Sequence, residues 1–422
     1  RKKEIAPAAA APLARAEGQD MAAAYGLTDP DLVARCLERA GGNPLFLEQI
    51  FHAAKVGDGE ALPGSVQSVV LTRMDALEAT DRGALQAASV MGQRFGLDDL
   101  RTLIDRPDYD CRALMEHGLV RPDGDQMLFS HALVADGIYG SLLAGRRSAL
   151  HLKAAANFAG RNLALHAEHL DRGGAAEAVQ AYIAASRAET ENYRYQRALP
   201  FIERGIELAA TGERAELHGE KGDLLILLGQ PEDAILAFGE VAEMAQDRAG
   251  QVRAQIGIAA AARMLGKVDD GMAALDAAEA AGEDEIMDSA RSQIHYFRGT
   301  FLFILGDVAA GVAEQERAIA HGEQANEPEW IARGLSGLGD AQYAEGRMPT
   351  ARASFERCME ICETEGFGQI AVANRYMVLN MHRYLNDFHR ALDGFPAAIQ
   401  TAEQVGNLRA EVRQMEALTE RY

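Results

Sequence analysis

The sequence predicts a mainly all-α protein with one small β-hairpin set among the helices. Three observations carry this. Apolar residues recur at three- and four-residue spacing through most of the 422 residues. Turn residues Gly306, Gly346 and Asn386 stand 40 residues apart, the mark of an internal repeat. One pair of short apolar runs, Leu119-Val120-Arg121 and Met127-Leu128-Phe129, flanks Pro122-Asp123-Gly124-Asp125, a hairpin signal.

Residues 1–27 show little periodicity and read as the tail of a domain lying upstream. The chain opens on Arg rather than Met and is expected to be part of something longer. Residues 28–78 read as a small helical domain. Asp31 to Ala40 forms a helix, with Thr28 or Asp29 as cap and Pro30 near the first turn. Gly41 and Gly42 end it, Asn43 can cap the next helix, and Pro44 fits that helix's first position. This rigid corner is either a plain helix–helix turn or a fixed platform for a purine. A third helix starts at Ser65 and carries Val66, Val69, Val70, Met74 and Leu77 on one face.

Residues 79–150 change pattern. Thr80 is the expected cap of a helix ending at Val90 or Met91. Shorter helices cover Leu97–Ile104 and about Tyr109–Glu116, and the hairpin follows. Three helices and a hairpin is the order of a winged helix. Within residues 81–150 ten Asp/Glu stand against eight Arg, and the third helix offers Asp108, Asp110 and Glu116 against Arg112 alone. A groove-reading helix needs a positive surface to neutralise phosphates, so this module is expected not to bind nucleic acid directly. His131 follows the second strand and opens a helix over Ala132–Leu143.

Residues 151–422 form a train of Ala-rich amphipathic helices. Tyr193, Gly229 and Gly266 are earlier turns of the same series. Small residues follow five positions after each turn (Ala198, Ala234, Gly271, Gly311, Ala351, Ala391) and precede three of them by seven (Gly222, Gly299, Gly339). Small residues let the two helices of a hairpin approach, and Phe355 and Phe395 can fill the space between hairpins. The register of the last repeats puts Gln293, Tyr296, Thr300 and Phe303 on the inner face. Arg333, Ser336, Asp340 and Tyr343 follow, then Tyr376, Asn380 and Arg383. Such a surface either suits a protein or small effector or merely solvates the inner helices.

Bulk composition sets limits. Sixty-three acidic against 42 basic residues leave a formal charge of −21, which disfavours nucleic acid and anionic membrane as partners. No apolar run approaches the 18 or so residues of a membrane helix. Four cysteines in so long a chain are no disulfide framework, and a reducing cytoplasm is the expected compartment. Cys358 and Cys362, like His166 and His169, have helical spacing for shared metal ligation but lack further ligands, so no metal is expected. No Gly-x-x-x-x-Gly-Lys-Ser/Thr loop occurs; Leu265-Gly266-Lys267-Val268 lacks the first glycine and the hydroxyl. No catalytic residue is assigned, and the chain alone is expected to be inactive.

Four stretches add a family resemblance: Gly41–Gln49, Leu62–Gln67, Leu85–Gly92 and Phe129–Val134, in that order. Together they resemble the regulatory ATPases of the STAND class, most closely the bacterial form joined to class III adenylate/guanylate cyclases and followed by tetratricopeptide repeats. The resemblance is specific over roughly the first half; the second half is similar to a tetratricopeptide array with helices longer than usual. It implies that residues 28–78 are an ATPase lid and that ATP or ADP with Mg is held mainly by an upstream core. No nucleotide is expected to bind this chain tightly alone. It also implies that Gly42, Asn43 and Pro44 pack the nucleotide and that His131 contacts the ADP β-phosphate. The structural alternative for His131 is a helix-start histidine packed on the hairpin. The implied partners are the upstream core, an output domain (a cyclase, or a transcription activator as runner-up) and an effector in the repeat groove, with oligomerisation on activation. A plain interaction scaffold is the alternative from another class.

Overall fold

The computed structural model describes residues 15–40, 44, 47–48, 50–51, 72–282, 287–404 and 415. The described chain is mainly all-α and divides into two compact units, residues 1–181 and 182–422.

In the first unit, α1 (Arg15–Ala24) packs on α2 (Pro30–Ala40). Asp29 Oδ1 accepts the Asp31 N–H at 3.0 Å, so the expected cap is in place. Ala22, Val33, Cys36, Leu47, Ile50 and Phe51 close a small core around this pair. Most of the helix expected from Ser65, and the Leu62–Gln67 stretch, lie outside the described residues.

A larger core follows. α3 (Ala79–Met91), α4 (Leu97–Ile104) and the short α5 (Arg112–Glu116) precede β2 (Val120–Asp123) and β3 (Gln126–Phe129). Asp123 pairs with Gln126, leaving a two-residue loop in which Gly124 takes φ 66°. Three details differ from expectation. The N-cap of α3 is Glu78 rather than Thr80, and it makes no side-chain capping bond. The third helix starts three residues late, because Cys111 adopts φ 58° while its side chain is fully buried. The hairpin gains a third strand, β1 (Arg94–Gly96), antiparallel to β3 in the order β1-β3-β2. Three residues are too few for an alternation signal, and Phe95 alone is buried.

Next come α6 (Ala132–Ser141), α7 (Ala144–Phe158) and α8 (Leu163–Gly173). Leu150, Ala154 and Phe158 of α7 belong to the same core as Leu85, Leu100, Leu114 and Phe129. The boundary expected after Leu150 therefore falls inside a helix that the winged-helix core needs for burial.

The second unit is a series of antiparallel helical pairs. α9 (Ala178–Glu191) spans the division and pairs with α10 (Tyr195–Leu208). Then come α11/α12 (Thr211–Leu227, Pro231–Met244), α13/α14 (Arg248–Met264, Val268–Gly282) and α15/α16 (Asp288–Ile304, Val308–Ala325). α17/α18 (Pro328–Ala344, Met348–Glu365) and α19/α20 (Gly368–Tyr384, Phe388–Gln404) complete it. Every expected turn residue is left-handed, including the non-glycines Tyr193 (φ 58°) and Asn386 (φ 64°).

Phe238 shows how the pairs stack. Its ring would lie 2.6 Å from a Cβ at Gly222, across its own hairpin, and 2.4 Å from one at Gly257 in the next. One aromatic thus fills the space that two glycines open. First and last pairs of this unit also meet. Gln369 Nε2 donates to the Tyr195 hydroxyl at 3.5 Å, and Tyr193 packs on Val372 and Ala402. These contacts link the two ends of the array.

Candidate functional site

Two places take the expected site residues. The first is the corner after α2, where the nucleotide was expected to pack. Pro44 is helical and half-buried, whereas Gly42 and Asn43 lie outside the described residues. The helix after the corner is tied back to α1, since the Tyr25 hydroxyl donates to Glu48 Oε1 at 3.0 Å. Burial and the adjacent Glu48 carboxylate push the Tyr25 hydroxyl up to about 12, so it stays a donor.

His131 is the N-cap of α6, with Nδ1 accepting the Leu133 N–H at 3.2 Å. A ring nitrogen that accepts is unprotonated, so the neutral imidazole carries its proton on Nε2 and presents one donor. The cap is therefore structural, and it fixes the tautomer that could meet an anion.

The second place is the inner face of the array, built by α11, α13, α15, α17 and α19. Tyr296 of α15 lies 5.7 Å from the Trp330 ring of α17, and the Arg333 guanidinium sits 5.2 Å above that ring. Arg333 also binds Glu329 Oε1 at 2.7 and 3.1 Å. Burial pulls the Arg333 guanidinium down, but the Tyr296 phenol and the Glu329 carboxylate outweigh it and hold it above its ordinary value. Further along, the Tyr343 hydroxyl donates to Tyr384 at 3.1 Å, and Asn380 reaches the same phenol.

Other expected residues are committed locally. The Thr300 hydroxyl donates to the Tyr296 carbonyl in its own helix, and the Tyr376 ring packs on Phe395. Arg383 lies over its neighbour Tyr384, Asp340 is half-buried, and Phe303 is 37% exposed. Tyr296 with Arg333, and Tyr343 with Asn380, are thus brought together, and Arg383 adjoins the second cluster through Tyr384; Thr300 and Phe303 join neither side-chain cluster.

A large concavity lies earlier in the array. A cavity of about 1210 Å³ is walled by α11, α13 and α15, with Glu216, Arg253, Ile256 and Gln293 among its lining. Only Gln293 was expected from the register. Glu216 and Arg253 occupy the equivalent positions of the two preceding repeats, so the same alignment carried back two turns would have found them. Arg253 binds Asp223 at 3.0 Å, and its guanidinium lies 3.0 Å from a Cβ built on Gly219. That glycine leaves room for the arginine. Desolvation raises the Asp223 carboxyl above its usual range despite Arg253, with Glu220 and Glu329 adding to the rise.

The paired cysteines and histidines have core roles. Cys358 Sγ donates to the Ala332 carbonyl at 3.2 Å and stands 4.0 Å from Cys362 Sγ, both buried. His169 is buried with His151, Nδ1 to Nδ1 at 2.9 Å, while His166 bonds the Ala155 carbonyl. Among the described residues no group of three or more His, Cys, Asp or Glu is placed to hold a metal. No described helix is long and apolar enough to cross a membrane.

No family model matches the chain, and no curated protein matches it. Among solved structures it is similar to a Signal Transduction ATPase with Numerous Domains (STAND) protein with a tetratricopeptide repeat sensor from Pyrococcus horikoshii. Identity is 14% and the TM-score 0.56, over 96% of this chain. The chain spans 62% of that protein's length. At this identity the likeness concerns the fold alone. Two further likenesses are weaker. They are a Rap protein complexed with competence and sporulation factor (15% identity, 66% of this chain and 80% of that one, TM-score 0.46) and aspartyl phosphate phosphatase F from Bacillus subtilis (11%, 94% and 90%, 0.44).

Proposed function

We propose that the chain is the regulatory and sensor half of a signal-transduction ATPase. In this reading the helical domain and winged helix hold ADP or ATP with Mg against a core contributed by preceding sequence. An effector or partner in the repeat groove biases the switch and so controls an output domain, a nucleotide cyclase by resemblance. Activation would proceed through oligomers.

The observation that carries the reading is His131, whose capping bond to Leu133 leaves Nε2–H as the free donor. A β-phosphate oxygen there would accept a hydrogen bond from a ring that needs no reorientation. Pro44 and the neighbouring Gly42 and Asn43 would pack the base. Arg333, Tyr296, Asp340, Tyr343, Tyr376 and Asn380, with the cavity beside Gln293, would form the effector surface. A bias of a few kcal/mol between closed and open states is enough for control.

The test is ADP retention by the full-length protein. His131→Ala and Pro44→Ala should each release ADP at least tenfold faster while leaving the repeats folded. Unchanged retention in both variants would leave the second reading, a tetratricopeptide scaffold without nucleotide switching, which the 1210 Å³ cavity supports by itself. An output domain that binds DNA would instead place the chain in an ATPase-type transcription activator.

A further inference from the structure

The first unit holds a second cavity, of about 410 Å³, which includes neither Pro44 nor His131. Its floor is apolar, formed by Ala84 and Ala87 of α3, Leu103 of α4 and Leu150 of α7, all buried. Its rim is cationic. Arg106 comes from the turn after α4, and Arg146 and Lys153 come from α7. One carboxylate answers these three cations: Asp105 Oδ2 accepts from Lys153 Nζ at 2.5 Å. Among the described residues the Arg106 and Arg146 side chains have no counter-ion.

This arrangement runs against two expectations. The chain as a whole carries −21, so unpaired arginines gathered on one cavity are out of character. Arg146 also sits in the first turn of α7, which has no acidic residue and no side-chain cap. A cation there opposes the helix dipole at a cost in stability. An anion on the rim would reverse that cost. Charge selects its kind: three cations against one carboxylate match a doubly ionised group, as a phosphate monoester is near neutral pH, better than a single carboxylate. Arginine forks are suited to phosphate oxygens, and a cavity of this size takes a small molecule.

We propose that this cavity binds a phosphate monoester, its phosphate held on the rim by Arg106, Arg146 and Lys153 and its organic part resting on the Ala84–Leu150 floor. The site is separate from the nucleotide corner, so the two proposals stand or fall apart.

The test uses the whole chain. Inorganic phosphate and phenyl phosphate are titrated calorimetrically and by thermal shift, against sodium chloride at matched ionic strength. Both phosphates should bind and raise the melting temperature, phenyl phosphate more tightly because it reaches the floor. R106Q/R146Q, two exposed positions, should weaken both at least tenfold while melting at the wild-type temperature in chloride. R121Q, an exposed arginine away from the cavity, should change nothing. Equal phosphate binding by R106Q/R146Q, or no response beyond that of chloride, overturns the proposal. So does protection by hexaglutamate without protection by either phosphate, which would assign the rim to an acidic protein segment.

Discussion

The winged-helix core and the repeat array are both α-rich, yet they are held together in different ways. In the first, side chains from residues 74 to 158 meet in a single cluster, and Asp99 of α4 bonds Asn157 of α7 across 58 positions. In the second, each pair packs chiefly on its neighbours, and the apolar residues divide into several small clusters. A shared core fails as a whole, whereas an array loses one interface at a time.

The largest expected effect tests that contrast directly. Phe129 is fully buried at the centre of the first core. Phe129→Ala should cost about 3–5 kcal/mol and remove amide protection from residues 79 to 158 together. Loss confined to the sheet would break the comparison.

Acid should separate the two regions next. Burial, with His169 as neighbour and Arg172 and Arg147 nearby, lowers His151 to about 4; burial and Arg172 lower His169 to about 4. Both histidines are neutral when folded and take up protons more readily when unfolded. Their contribution is therefore complete above the unfolded value near 6.5 and is lost as pH falls toward 4. The winged-helix core should lose about 2–4 kcal/mol over that window by urea denaturation at stepped pH. His169→Gln should flatten the slope; an unchanged slope would remove the pair from the account.

In the array, Gly257→Val should force its Cβ into the Phe238 ring and cost about 1–3 kcal/mol. Protection should fall in α11 to α14 and persist in α17 to α20; a uniform loss would show the array behaving as one cooperative body. Removing the end-to-end contact with Tyr193→Ala should alter stability by only about 1 kcal/mol but enlarge the radius of gyration of an isolated array, read by small-angle scattering. The smallest effect is reserved for the exposed Arg357–Glu323 pair between neighbouring hairpins, where Arg357→Gln should cost about 0–1 kcal/mol.

By itself the sequence determined the helices, their turns and the repeat, because those follow from local chemistry. Gly306 and Gly346 supply left-handed turns, Asp29 caps its helix, and Gly124 closes the hairpin without reference to anything distant. It also exposed His131 as a helix-start residue. Tertiary structure alone decided the rest. β1 exists only because β3 offers it an edge. α7 joins the winged helix because Leu150 and Phe158 find their burial there, and His169 is interior because His151 comes to meet it. A large concavity falls on Glu216, Arg253 and Gln293, a place set by how successive pairs pack. Local sequence fixes where a helix begins and which face is apolar; which faces meet, and how much space they leave, depends on residues a hundred positions apart.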